Sequence, residues 1–134
     1  MRHIIYIVAA LLGITFVSCG KSPATVNPDE LASRAAKVYY EYLLHGNCAA
    51  YIDGFYRPDS IPDSYREQLE ANSKMYLAGL RADHGGISEI RIVNCRNDSK
   101  GETAEAYLLV CFADSVKEEI VVAMAKHDGR WMMR

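Results

Sequence analysis

The hydrophobic period of this chain changes once, at His84-Gly85-Gly86, and that change limits the fold more than any other feature. Before it, apolar residues recur at helical offsets. Leu31, Ala35, Val38, Tyr39 and Tyr42 make one stripe, and Tyr65, Leu69, Tyr76 and Leu80 make another. After it, Ile90 and Ile92 alternate with polar or bulky neighbours, and Ala104, Ala106, Leu108, Val110 and Phe112 alternate again. Helices followed by a run of alternating strands is an α+β order, with N-terminal helices packed on one face of an antiparallel sheet.

Turn and cap residues place the boundaries. Asn27 is suited to cap a helix with Pro28 at its first position and Glu30 where a capping-box acid reaches back; His45-Gly46 should end that helix. Asn47 is expected to cap a short second helix from Cys48 to Phe55 that buries some of Tyr51, Ile52 and Phe55, and Pro62 to open the third. A three-residue loop at Ser99-Lys100-Gly101 would set Ile92 opposite Leu108 and Ile90 opposite Val110, so that both apolar sets share a face. A turn at Asp114-Ser115 leads to a third strand, about Val116 to His127, with a solvated Lys117-Glu118-Glu119 start that blunts sheet-to-sheet pairing. Asp128-Gly129 is a two-residue hairpin signal that pairs Trp131 with Lys126 and puts it on the face of Ile120, Val122 and Met124.

The N-terminus carries a different message. Met1-Arg2-His3 runs into an apolar stretch from Ile4 to Val17, too short to cross a hydrocarbon core of roughly 30 Å and interrupted by Gly13 and Thr15. It closes on Phe16-Val17-Ser18-Cys19 and resembles a bacterial lipoprotein signal peptide, with Phe16 standing where such motifs usually have Leu. The resemblance implies cleavage before Cys19, acylation of that cysteine, and stable anchoring in the bilayer, because two or more acyl chains hold where one does not. Gly20 at the second processed position implies the outer membrane of a Gram-negative envelope, facing the periplasm. The expected organisation is a leader over 1–18, a lipidated end and flexible tether over 19–27, and one domain over 28–134.

Fifteen Lys and Arg against 17 Asp and Glu give a net charge of −2, and the basic residues are scattered singly, so no nucleic-acid face is expected. Beyond Cys19, the remaining Cys48, Cys95 and Cys111 allow at most one disulfide within the chain, and none has the Cys-x-x-Cys spacing of a zinc or redox site. No pair of His or acidic residues has a ligand spacing on one helix face, no Gly-rich loop follows a strand, and no serine sits in a nucleophile-elbow setting. Neither a metal nor another cofactor is expected.

Tyr39-Tyr40-x-Tyr42-Leu43-x5-Cys48, the Gly85-Gly86-Ile87 entry to the sheet and the closing Asp128-Gly129-Arg130-Trp131 hairpin resemble small lipoproteins of unknown function. These belong to the nuclear transport factor 2-like (NTF2-like), cystatin-like superfamily. The resemblance covers about Asp29 to Arg134 and implies a cone, a curved sheet wrapped round helices with an apolar pocket between them. Members usually end in Trp, a basic residue and a branched one; here Met132 and Met133 follow Trp131, so a short last strand is expected.

For such a pocket the candidate lining residues are Tyr39, Tyr42, Tyr51, Phe55, Tyr76 and Trp131, each of which serves equally well as a core aromatic. The superfamily's isomerases and dehydratases use a carboxylate or His with a tyrosine, for which Asp53 and His84 are the candidates. Asp53 also suits a solvated acid near a helix end, and His84 and His45 suit helix C-termini, whereas His127 beside the last turn should be exposed. Three readings follow: a non-enzymatic domain binding a small apolar ligand or an envelope partner protein, an isomerase- or dehydratase-like enzyme, or an assembly module pairing as a homodimer through its open sheet face.

Overall fold

In a computed structural model of the chain the described residues are 27–134; the expected leader, Cys19 and nearly all of the tether lie outside them. A 3-10 turn, Pro28–Glu30, leads into α1 (Leu31–Leu44), followed by α2 (Cys48–Asp53), α3 (Asp63–His84) and strands β1 (Ile87–Asn97), β2 (Thr103–Phe112), β3 (Lys117–His127) and β4 (Arg130–Met133). The strands form one antiparallel meander in the order β1-β2-β3-β4. This is the expected α+β order, with the period change at Gly85, whose φ of 78° gives α3 its left-handed cap. No described helix is long and apolar enough to cross a membrane.

The start of α1 differs from the capping box. The Asn27 side chain accepts from the Asp29 amide and caps the 3-10 turn, while Glu30 reaches forward to Arg34 instead of back. Ser33, fully buried, satisfies its hydroxyl by donating to the Glu30 carbonyl at 2.8 Å. The buried face of α1 is also not the expected stripe. Ala32, Ala36 and Leu43 are in the core with Tyr39 partly so, whereas Leu31, Val38 and Tyr42 are exposed. The sheet supplies the reason: Leu108, Met124, Trp131 and Met133 fill the space in front of α1, so a close approach needs small residues on the helix.

The last hairpin forms as the turn chemistry dictates. Asp128 and Gly129 both take positive φ (50° and 77°), and Lys126 pairs with Trp131. β4 is four residues long. The first hairpin reaches its expected register by another route. Its loop, Ser99–Glu102, has four residues rather than three, closed by the Asp98 amide on the Thr103 carbonyl. A bulge between Ile92 and Asn94 then absorbs one residue of β1, and Ile92 meets Leu108 and Ile90 meets Val110 after all. Ile90 is buried, but Ile92, on the strand at the sheet edge, is 40% exposed.

α2 stops at Asp53, two residues short of the expectation, because Gly54 turns the chain against β4. The Gly54 carbonyl accepts from the Met133 amide and the Tyr56 amide donates to the Met133 carbonyl, both at 2.8 Å. A side chain at Gly54 would lie 2.5 Å from the Tyr39 ring, so only glycine lets the two elements meet. Tyr39 fixes the same junction by donating its hydroxyl to the Trp131 carbonyl at 2.7 Å. Cys48, Cys95 and Cys111 are all free thiols.

Candidate functional site: an aromatic cavity under the third helix

α3 carries no fully buried residue, and its main neighbours are α2 and β1. It stands off the sheet and leaves a cavity of about 450 Å³ bounded by α2, α3, Tyr40 of α1 and Ile120 of β3. Leu69 and Tyr76 recur seven apart on the face of α3 that meets it, while Tyr51 comes from α2 and Phe55 from the chain just beyond its end. The aromatics are packed edge to face: Tyr51 lies between Tyr40 (5.6 Å between ring centres) and Phe55 (5.4 Å). A larger groove of about 850 Å³ between α1 and β1 is lined by Glu30, Arg34, Lys37 and Glu41 among others and is a solvated cleft.

The polar groups of the aromatic cavity are few. Burial, and then the neighbouring Tyr40, push the Tyr51 phenol far above its ordinary value. Burial likewise raises Tyr40 and Tyr76, the latter helped by the charge of Glu118. All three phenols are therefore neutral at any physiological pH and offer hydrogen bonds without serving as bases. Ser73 donates to the Leu69 carbonyl at 3.0 Å, Asn72 is also part of the lining, and the one charged lining residue among the described residues is Arg57. Among the described residues no carboxylate or imidazole lines the cavity.

The sequence candidates divide accordingly. Tyr51, Phe55 and Tyr76 come together at the cavity. Tyr39 is turned to the β4 junction, Trp131 belongs to the core under α1, and Tyr42 points outward. Asp53 is held in a two-point ion pair by Arg66, and that guanidinium keeps its carboxyl below the ordinary range. His84 sits at the other end of α3, its Nδ1 2.7 Å from the Asp114 carboxylate and its ring stacked on Phe112. His127, expected to be exposed, is half-buried because Tyr56 stacks on it at 3.5 Å. Among the described residues no group of His, Cys, Asp and Glu is placed to hold a metal.

Tyr40, Ile52, Arg57 and Ile120 also line the cavity and were not among the candidate lining residues, although Ile52 and Ile120 were expected on buried faces. Tyr40 is one residue off the expected stripe and would have followed from the true buried face of α1. Arg57 lies in an irregular loop where no periodicity points at it.

The architecture is shared with solved structures. A protein from Campylobacter jejuni, provisionally described as an NTF2-like transpeptidase, superposes with a TM-score of 0.61 over 75% of this chain and 94% of its own, at 17% identity. The fold is NTF2-like. No family model matches the sequence, and no curated protein matches it. At this identity the likeness concerns the NTF2-like frame of helices on an antiparallel sheet, in which the cavity described above lies between the helices and the inner sheet face.

Proposed function

We propose that this protein is a lipid-anchored domain of the cell envelope that binds a small apolar ligand between α2 and α3. The carrying observation is the cavity itself: about 450 Å³, walled by Tyr40, Tyr51, Phe55 and Tyr76, with neutral hydroxyls and no base. Its size lies in the range of small-molecule sites, and a few hydrogen-bonding groups on an apolar wall orient a ligand without reacting with it. The Phe16-Val17-Ser18-Cys19 motif supports the anchor, and the periplasmic face of the outer membrane is the location that Gly20 favours.

An isomerase or dehydratase needs a proton acceptor within reach of the reacting carbon and a donor on its oxygen. Asp53 and His84 are each committed to other partners outside the cavity, which disfavours that reading. The transpeptidase description of the Campylobacter jejuni protein gains no support from the cavity, because Ser73, its aliphatic hydroxyl, donates to the Leu69 carbonyl and has no His or carboxylate among its hydrogen-bond partners. Assembly as a homodimer has one observation in its favour: the outer sheet face shows Val121 at 56% exposure, with Tyr107, Leu109 and Met132 half-exposed.

Native mass spectrometry of the protein extracted from its own membrane tests these readings together. The expected result is a monomer of triacylated mass carrying a co-purified molecule of a few hundred daltons, a size suited to such a cavity. An unlipidated chain starting at Met1 would sink the anchor. A ligand-free two-copy species would favour assembly instead.

A further inference from the structure

The charges around the cavity are distributed unevenly. Arg57, just beyond α2, is the single charged lining residue among the described residues. The guanidinium lies 5.9 Å from the Phe55 ring centre and donates from Nη1 to the Ile52 carbonyl at 3.0 Å, which fixes its position at the end of the aromatic wall. Among the described residues it belongs to no ion pair, and a guanidinium has five N–H donors. Asp53 feels the charge of Arg57 but forms no ion pair with it, because both its carboxylate oxygens are engaged by Arg66. Tyr76, on α3, feels the negative charge of Glu118.

From this we infer that the ligand is a long-chain carboxylate, with its anionic head on Arg57 and its tail along Tyr51, Phe55 and Leu69 toward Tyr76. The inference rests on the binding reading above and specifies its ligand. An apolar cavity alone accepts any hydrocarbon of the right size. An unpaired, preoriented guanidinium at one end makes it selective, because a charge-assisted fork to a carboxylate is a strong and directional contact. The charge of Glu118 felt at Tyr76 acts in the same sense, disfavouring an anion beside Tyr76 relative to one beside Arg57. A neutral alcohol of the same length gains the burial and not the ion pair, whereas a long-chain ammonium is repelled by Arg57.

Photolabelling of the processed protein in phosphatidylcholine nanodiscs tests this, with diazirine-bearing dodecanoic acid and the matching diazirine dodecanol as probes. The acid is expected to label peptides containing Tyr51–Phe55 and Leu69–Tyr76 about ten times more strongly than the alcohol. Arg57→Gln should cut labelling by the acid about tenfold and labelling by the alcohol far less, so that the acid-to-alcohol ratio falls toward one. Equal labelling by both probes in the wild type, or an acid preference that survives Arg57→Gln in a variant the alcohol still labels, would overturn the carboxylate assignment while keeping an apolar-ligand site. If neither probe labels these peptides, the binding reading falls with it. Should Arg57→Gln fail to fold, seen as lost labelling by the alcohol, the wild-type ratio and its decline with added salt decide the matter.

Discussion

α1 and α3 use opposite means to stay on the same sheet. α1 has 14 residues and buries Ala32, Ser33, Ala36 and Leu43 against all four strands; α3 has 22 and buries none completely. What holds α3 is a polar clasp at each end: Asp53 with Arg66 near its start, and His84 with Asp114 at its last residue. Half-buried Leu69 and Leu80 lie between them. Length is therefore no guide to which helix stabilises the domain. The short-range packing of α1 makes the body, and the looser α3 keeps a space open beneath it.

The contrast breaks most visibly under core truncation. Leu108→Ala, at a fully buried site under α1, should cost about 2–5 kcal/mol in urea denaturation. Leu69→Ala, beside space that is already empty, should cost about 1 kcal/mol. Equal losses would mean that α3 is as embedded as α1. Gly54→Ala comes next, at about 1–3 kcal/mol by the same measurement, since the new methyl overlaps the Tyr39 ring that pins α1 to β4. Gly85→Ala should cost about 1–2 kcal/mol, because φ of 78° strains an L-residue. Its effect is expected in faster hydrogen exchange over the last turn of α3, with α1 unaffected.

Between the two helices acid should act on α3 and spare α1, and with the smallest effect. Arg66 depresses the carboxyl of Asp53, and His84 that of Asp114, below the ordinary 3.8. Groups whose folded values are lowered contribute stability that is complete above 3.8 and is lost as pH falls through the lower folded values. Both acids are substantially exposed, so the change is modest. Hydrogen exchange, corrected for its intrinsic pH dependence, should show α3 amides losing protection below pH 3.8 while α1 amides keep theirs. Asp114→Asn should remove the response at the α3 C-terminus.

The same contrast explains which parts of the structure could be read from sequence. The β3–β4 hairpin was legible because Asp128-Gly129 admits one turn type, and a two-residue turn leaves one register. α3 was legible in extent, since Pro62 and Gly85-Gly86 bound it. The face of α1 was not. Leu31 and Val38 look more hydrophobic than Ala32, Ser33 and Ala36, yet the bulk of Trp131, Leu108 and Met124 across the interface decides which side fits. In the site, Tyr51, Phe55 and Tyr76 followed from helical spacing. Asp53 and His84 were legible as ionisable residues but not as clasps, because their partners Arg66 and Asp114 lie 13 and 30 residues away.

The bulge at Val93 separates the shape of the sheet from its chemistry. Val93 is half-exposed, and it is the extra residue between the pairs Ile92 with Leu108 and Asn94 with Tyr107. Were it removed, those pairs would become consecutive rungs, and every other side chain of β1 would keep its inward or outward direction. The strand would lose its local bend and added twist. A one-codon deletion would thus flatten the wall without repainting it, and the curvature of this scaffold could be tuned as a variable of its own.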